Sequence, residues 1–183
     1  MAHAEIIFIL GGARSGKSAL AEQLAKQRGG AEVVFMATAE ALDDEMRERI
    51  AAHRAARPSE WTTLEAPRDL LEGIRHLQTM PRLIVVDCLT LWVTNEMLAN
   101  EVNLEKRLFY QLDLLCEWVR LQEIDLILIS NEVGLGIVPE NALARKFRDV
   151  LGRVNARAAE HAHRVFWMMA GLPIEIKARA YQF

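Results

Sequence analysis

The sequence predicts an open α/β sandwich: a mostly parallel sheet with helices on both faces, built as one domain over residues 1–183. Three observations point there. Short apolar runs recur at 5–10, 32–37, 83–88, 125–130 and 164–169, each separated from the next by at least one segment of helical character, the alternation of βα units. The runs are apolar throughout, without polar alternation, so both sheet faces should be covered and the parallel strands joined by right-handed crossovers. No repeat, low-complexity tract or linker rich in Pro, Gly and Ser divides the 183 residues, a length that buries about two thirds of the surface of the unfolded chain.

The first run, Ile6 to Leu10, leads directly into Gly11-Gly12-Ala13-Arg14-Ser15-Gly16-Lys17-Ser18, which is the phosphate-loop pattern G-x-x-x-x-G-K-[ST] placed where a buried strand ends. Glycine at Gly11, Gly12 and Gly16 lets the backbone turn sharply and bring N–H groups against phosphate oxygens with no Cβ in the way. A helix over 17–28, ended by Gly29-Gly30, points its positive end at the anion. Lys17 then offers a flexible charge to the β and γ phosphates, and the Ser18 hydroxyl suits a Mg²⁺ ion whose other ligands are phosphate oxygens and water. The expectation is a P-loop NTPase fold that binds a nucleoside triphosphate.

After the second strand, segment 40–58 reads as a helix whose wheel gathers Leu42, Met46, Ile50, His53 and Arg57 within one quarter of the circumference. That stripe turns from apolar to basic. An imidazole and a guanidinium at inward positions suit an anionic cleft; the other reading is a hydrogen-bonded boundary histidine with Arg54 and Arg57 as solvated charges. Pro58 stops the helix on either reading. Trp61 to Leu64 and Pro173 to Lys177 read as further short strands at a sheet edge.

The third run ends in Leu83-Ile84-Val85-Val86-Asp87, a strand delivering a carboxylate to its tip. Such an Asp often only caps the next turn, but with a phosphate loop upstream Asp87 is read as holding Mg²⁺ or its water shell. Thr90, Thr94 and Asn95, and beyond the next strand Ser130-Asn131-Glu132, are expected at the carboxyl ends of strands, where open α/β sheets bind ligands. Helices follow at 104–123 and 141–161, the latter with the apolar stripe Leu143, Phe147, Val150, Leu151, Val154 and Ala158. Its basic residues Arg145, Lys146, Arg148, Arg153 and Arg157 read as a solvated outer face, and His161 and His163, two apart, as no metal site.

Composition narrows the classes further. A net charge of −3 gives no reason to expect nucleic acid as the main partner, and no apolar run approaches the ~20 residues that span a bilayer. The five-residue apolar run at the N-terminus leads into the phosphate loop and lacks the form of a cleavable leader, and Cys88 and Cys116 form neither a disulfide framework nor a metal spacing. A cytoplasmic location is therefore expected, with both cysteines as buried small side chains.

Taken together, these segments resemble the bifunctional adenosylcobinamide kinase and adenosylcobinamide-phosphate guanylyltransferase family of cobalamin biosynthesis. The likeness covers nearly the whole chain: Gly11 to Ser18, Ala37-Thr38, Leu42 to Met46, Arg49-Ile50 with His53, Arg57-Pro58 and Trp61, Thr94-Asn95, Asn131 to Gly134, Gly136 to Asn141, and Gly152 to Asn155. The resemblance implies a RecA-like fold, a trimer, and two reactions: ATP or GTP phosphorylates adenosylcobinamide, then GTP gives GMP to the phosphate by way of a guanylyl-histidine at His53, releasing pyrophosphate. Carried over by position, Gly11, Gly12, Ala13, Arg14, Ser15, Gly16, Lys17 and Ser18 bind phosphates with Lys17 catalytic. Ala37, Thr38, Ala39, Arg54, Ala55, Ala56, Arg57, Glu65 and Asp87 complete the nucleotide site, with Ser18 and Asp87 at Mg²⁺. The chain departs from the family pattern at Ala39, where relatives carry serine, and at Arg54-Ala55-Ala56-Arg57, where they carry Lys-Asp-Gly-Arg; some carry glutamate at the Asp87 position. The alternatives are a one-step P-loop small-molecule kinase and a non-catalytic GTP-sensing module, although no Asn-Lys-x-Asp guanine-reading motif is present.

Overall fold

A computed structural model describes residues 4–40, 44–55, 57–75 and 77–181. Their order is β1 (Ile6–Gly11), α1 (Lys17–Gly29), β2 (Val33–Ala37), α2 (Asp44–Ala55), β3 (Thr62–Glu65), α3 (Glu72–Arg75), β4 (Leu83–Asp87), α4 (Leu89–Ala99), α5 (Leu104–Leu121), β5 (Asp125–Asn131), α6 (Ala142–His161), β6 (Arg164–Met169) and β7 (Leu172–Glu175), then a 3₁₀ turn at Lys177–Arg179. The strands make one sheet in the order β3-β2-β4-β5-β1-β6-β7. All neighbours are parallel except β7, which pairs antiparallel with β6. The two short runs at Trp61 and Pro173 are strands, and both lie at an edge as expected. The short helix α3 and the helix α4, which follows Asp87 at once, are additions to the helices named from periodicity.

Period-two alternation sorts the strand side chains into two layers. Ile7, Ile9, Val33, Phe35, Leu83, Val85, Ile127 and Ile129 pack with Ala21 and Ala25 of α1. Ile6, Phe8, Val34, Met36, Ile84, Val86, Leu126 and Leu128 pack on the opposite face with α4, α5 and α6, among them Trp92, Leu108, Leu112, Leu115, Leu151 and Val154. The buried stripe of α1 is made of Lys17, Ala21, Ala25 and Gly29, and small residues there let the helix lie close on the sheet. At Gly29 a Cβ would fall 2.5 Å from Cγ2 of Val33. The expected stripe of α6 holds from Val150 onward, with Asn141 capping the helix by accepting the Ala144 N–H at 3.0 Å. Leu143, in the first turn, is 48% exposed and Phe147 is half-buried, because the helix starts beyond the hydrocarbon layer.

The basic face of α6 is exposed at Arg145, Lys146 and Arg153, as expected, and it is also paired with carboxylates. Lys146 pairs with Glu101, Arg153 with Glu105, and Arg157 with Asp113, so the charges tie α6 to α5 and the turn before it. His161 continues this network through Asp113, while His163 accepts the Ile6 N–H on Nδ1 at 2.9 Å, a strand-end contact.

Candidate active site

The phosphate loop joins the end of β1 to the start of α1. Two of its residues need unusual backbone: Gly16 has φ 95° and Arg14 has φ 56°. Gly11 is constrained by space, since a Cβ there would stand 2.6 Å from the Met168 carbonyl oxygen of β6. At Gly12, among the described residues, a Cβ would meet no protein atom within 4 Å. Its carbonyl accepts the Lys17 Nζ–H at 2.6 Å, folding the ammonium back over the loop. Lys17 is 8% exposed; burial lowers its pKa from the ordinary lysine value, opposed by Cys88 and then Asp87. Ala13 and Arg14 lie exposed on the loop and Ser15 is buried, its carbonyl accepting the Gly171 N–H of the β6–β7 turn at 3.2 Å.

One turn into the site, the Ser18 hydroxyl lies 3.2 Å from Oδ2 of Asp87, the last residue of β4. Three strand ends line up beside this contact. The ladder pairs Ala37 with Asp87 on one side and with Glu65 on the other, so Glu65, Ala37 and Asp87 form a row along the carboxyl end of β3, β2 and β4. At the ~4.8 Å spacing of paired strands the carboxylates stand on the order of 10 Å apart across Ala37.

Behind that row the strand ends are clamped. Thr38 is wholly buried; its hydroxyl donates to the Cys88 carbonyl at 2.8 Å and accepts the Cys88 N–H at 2.7 Å. Its backbone N–H donates to the Asp87 carbonyl at 3.1 Å. Asn95 on α4 donates to the carbonyls of Thr38 and Pro67 at 2.8 and 2.9 Å, joining the ends of β2 and β3. Thr90 and Asn95 thus act from α4, facing the site across the strand ends. Burial, then the charge of Asp87, raises the Cys88 thiol, and burial pushes that of Cys116 up to about 12, as inert small side chains require; Cys88 is half-buried, more open than expected.

A cavity of about 230 Å³ opens beside this clamp, lined by Ala37, Ala39, Glu40, Arg54, Arg57, Thr63, Glu65 and Pro67. It brings together five of the residues expected in the nucleotide site and adds Glu40, Thr63 and Pro67, whose positions only the strand pairing reveals. The wheel that placed Arg57 on the helical stripe is corrected: α2 ends at Ala55, Arg57 N–H donates to the Arg54 carbonyl in the following turn, and Pro58 comes next. From that turn the Arg57 guanidinium lies over the Phe35 ring, 3.4 Å from its centroid. Burial lowers its pKa, opposed by Asp87 and Glu22, in a group that stays charged regardless. Ala55 is exposed on α2 and outside the cavity lining. Ala56, Leu42 and Asp43 lie outside the described residues, as do the side chains of Met46, Ile50 and His53; the backbone of His53 is in the last turn of α2, one residue before Arg54.

Chemically, the arrangement offers an amide-lined anion cradle, a lysine charge, a hydroxyl and a carboxylate poised for a divalent ion, and a basic cavity next to them. Among the described residues no three His, Cys, Asp or Glu side chains converge as a metal cluster, and no helix is long and apolar enough to cross a membrane.

Comparison with known proteins agrees with this chemistry. The model of the family described as cobinamide kinase / cobinamide phosphate guanyltransferase matches residues 7–176. The bifunctional adenosylcobalamin biosynthesis protein CobP of Pseudomonas aeruginosa is 46% identical over 92% of this chain and 95% of its own length. The proteins called CobU in Salmonella typhimurium and Escherichia coli are each 37% identical over 94% of this chain and 99% of theirs. Among solved structures, the flagellar accessory protein FlaH of Methanocaldococcus jannaschii aligns over 94% of this chain and 76% of its own, with 15% identity and a TM-score of 0.49. A phosphate loop, a strand-end carboxylate beside it, and family motifs along nearly the whole chain therefore converge: the protein belongs to the cobinamide kinase / cobinamide phosphate guanyltransferase family.

Proposed function

We propose that this bifunctional cobinamide kinase and cobinamide phosphate guanylyltransferase runs both reactions in one domain, 1–183, over a continuous surface from the phosphate loop to the Arg54–Arg57 cavity. The observation that carries this reading is that the Ser18–Asp87 contact and the cavity share the β4–β2 strand ends, so one triphosphate can lie across both.

In the first reaction Gly11 to Ser18 hold the β and γ phosphates of ATP or GTP, and Lys17 leaves Gly12 to meet the charge that develops on the transferred group. Ser18 and Asp87 fit Mg²⁺: their oxygens are 3.2 Å apart, close to the ~3 Å between adjacent corners of an octahedron with 2.0–2.1 Å bonds. Bound there, the ion would neutralise β and γ oxygens. In the second reaction the neutral His53 imidazole attacks the α-phosphorus of GTP, pyrophosphate leaves, and an oxygen of cobinamide phosphate then displaces the histidine to give adenosylcobinamide-GDP. Arg54 and Arg57 offset the phosphate charge and Glu65 closes the nucleotide site. Ala37 and Ala39 form its floor, with the buried Thr38 between them in the chain, and Ala55 and Ala56 are assigned to the nucleotide site by the family resemblance alone. The acceptor is the corrinoid. The assembly is read as a cytoplasmic homotrimer, in keeping with exposed Leu135, Ile137 and Leu172 and with two free thiols.

The test is incubation with α-labelled GTP and Mg²⁺, followed by mapping of the adduct. An acid-labile, base-stable label on His53 that vanishes in His53→Ala is expected. No label on the wild type, or equal label on the variant, refutes the covalent route. ADP or GDP without pyrophosphate would favour the one-step kinase, and binding without turnover the sensing module.

A further inference from the structure

The pattern Asn131-Glu132-Val133-Gly134 stands apart from the loop, carboxylate and cavity, yet the fold places its first residue at the centre of the site. Strand β5 lies between β1, which carries the phosphate loop, and β4, which carries Asp87. Asn131 is its last residue and pairs in register with Gly11, the first residue of the loop. Along β5, Ile127 and Ile129 pack on the face of α1, and Leu126 and Leu128 on the other. Period two therefore puts the half-buried Asn131 side chain on the α1 face, the face from which Asp87 meets Ser18. Asp87 pairs with Ile129, so Asn131 is one strand over and two residues nearer the mouth, about 8 Å away from strand spacing and rise. Gly11 brings no side chain between the Asn131 carboxamide and the loop.

The backbone of Asn131 is held on both sides. Its N–H donates to the Thr90 hydroxyl at 2.8 Å and its carbonyl accepts from the Asn155 Nδ2–H at 3.1 Å. The next N–H, of Glu132, donates to the Gly11 carbonyl at 3.1 Å. Thr90 and Asn155 are 9% and 6% exposed, so both spend buried polar groups on this strand end. All three bonds use backbone, so among the described residues the carboxamide is left for a ligand.

We propose that Asn131 is a further catalytic residue of the phosphoryl-transfer step, with Thr90 and Asn155 as its positioning residues. Its Nδ2–H donates to an oxygen of the γ-phosphoryl group, and its Oδ1 accepts from the acceptor hydroxyl and aligns it for attack. The acceptor oxygen bonds to the γ-phosphorus as the bond from phosphorus to the β–γ bridging oxygen breaks. The nucleoside diphosphate leaves with that electron pair, and the hydroxyl proton passes to an oxygen of the transferred group. A neutral amide suits this position, because a carboxylate would repel the anion beside Asp87. The assignment rests on the reading that the phosphate loop hosts the kinase reaction.

The experiment compares Asn131→Ala and Asn131→Asp with the wild type by cobinamide phosphorylation, by His53 labelling from α-labelled GTP, and by thermal melting. Both variants are expected to lose about 100-fold in kinase kcat, the cost of removing one donor to a developing charge. In Asn131→Ala, nucleotide KM, His53 labelling and melting temperature should stay near wild type, within about threefold for the first two, whereas the added charge in Asn131→Asp should also raise nucleotide KM. Wild-type turnover in Asn131→Asp, a loss confined to KM, or parallel loss of both activities with lowered melting would overturn the assignment. Failure of Lys17→Ala to impair phosphorylation would instead indict the underlying reading.

Discussion

Replacing Thr38 by valine tests whether the clamp behind the site is held by its hydroxyl. The substitution keeps the shape and exchanges one oxygen for a methyl group at a position with no solvent exposure. Two bonds disappear together, the 2.8 Å donation to the Cys88 carbonyl and the 2.7 Å acceptance of the Cys88 N–H. The Cys88 carbonyl still accepts the Trp92 N–H at 3.2 Å and loses one of two hydrogen bonds, about 0.5–1.5 kcal/mol, whereas the Cys88 N–H is left without a partner at about 1–3 kcal/mol, so the variant should lose about 2–4 kcal/mol of stability. For a chain of 183 residues a loss near 3 kcal/mol lowers the melting temperature by about 6–12 °C. Because Cys88 follows Asp87, relaxation of this strand end should also disturb the Ser18–Asp87 contact and reduce kinase turnover about tenfold, the effect of a small misplacement of reacting groups. Urea unfolding with Thr38→Ser alongside gives the measurement. Serine keeps the hydroxyl and loses one methyl, and should cost only about 1 kcal/mol. Equal destabilisation by valine and serine, or a valine variant within 0.5 kcal/mol of wild type at ordinary surface-mutation scatter (about that size), would refute the argument.

Two other outcomes follow from the same geometry. Lys17→Ala should lose at least about 100-fold in phosphorylation, because its buried ammonium, folded over the loop, is the charge assigned to meet the transferred group; a coupled ADP assay reads this, and near wild-type turnover contradicts it. Asp113 is held below its ordinary pKa of 3.8, first by hydrogen bonds from Arg157 and also by His161. Its contribution is complete above that value and is lost as pH falls through the depressed folded pKa, so Asp113→Asn should flatten the acid limb of stability measured by unfolding at pH 2–5, a range of about three units around the ordinary value.

Much of the architecture was legible in local patterns. Residues 6–18 announce a buried strand, a turn whose positive φ at Gly16 favours glycine, and a helix start, because those requirements are imposed by neighbouring backbone, whereas the need for glycine at Gly11 comes from Met168 on β6. The apolar runs gave five strands, and the resemblance to a family gave the membership later found over residues 7–176. The helical wheel failed at Arg57 since periodicity carries no end signal as strong as the turn before Pro58, which stops α2 two residues earlier.

What the chain by itself determined is therefore the loop, the strands, their covered faces and the family. Only the tertiary structure decided that Ser18 meets Asp87 across 69 positions, that Thr38 turns inward as a clamp, that Arg57 stacks on Phe35, and that Asn131 ends the strand between loop and carboxylate. The physical reason is that a residue's own neighbours set its backbone conformation, whereas its distant contacts depend on strand order. Helical crossovers permit several such orders, and only burial of both apolar faces at once selects β3-β2-β4-β5-β1-β6-β7.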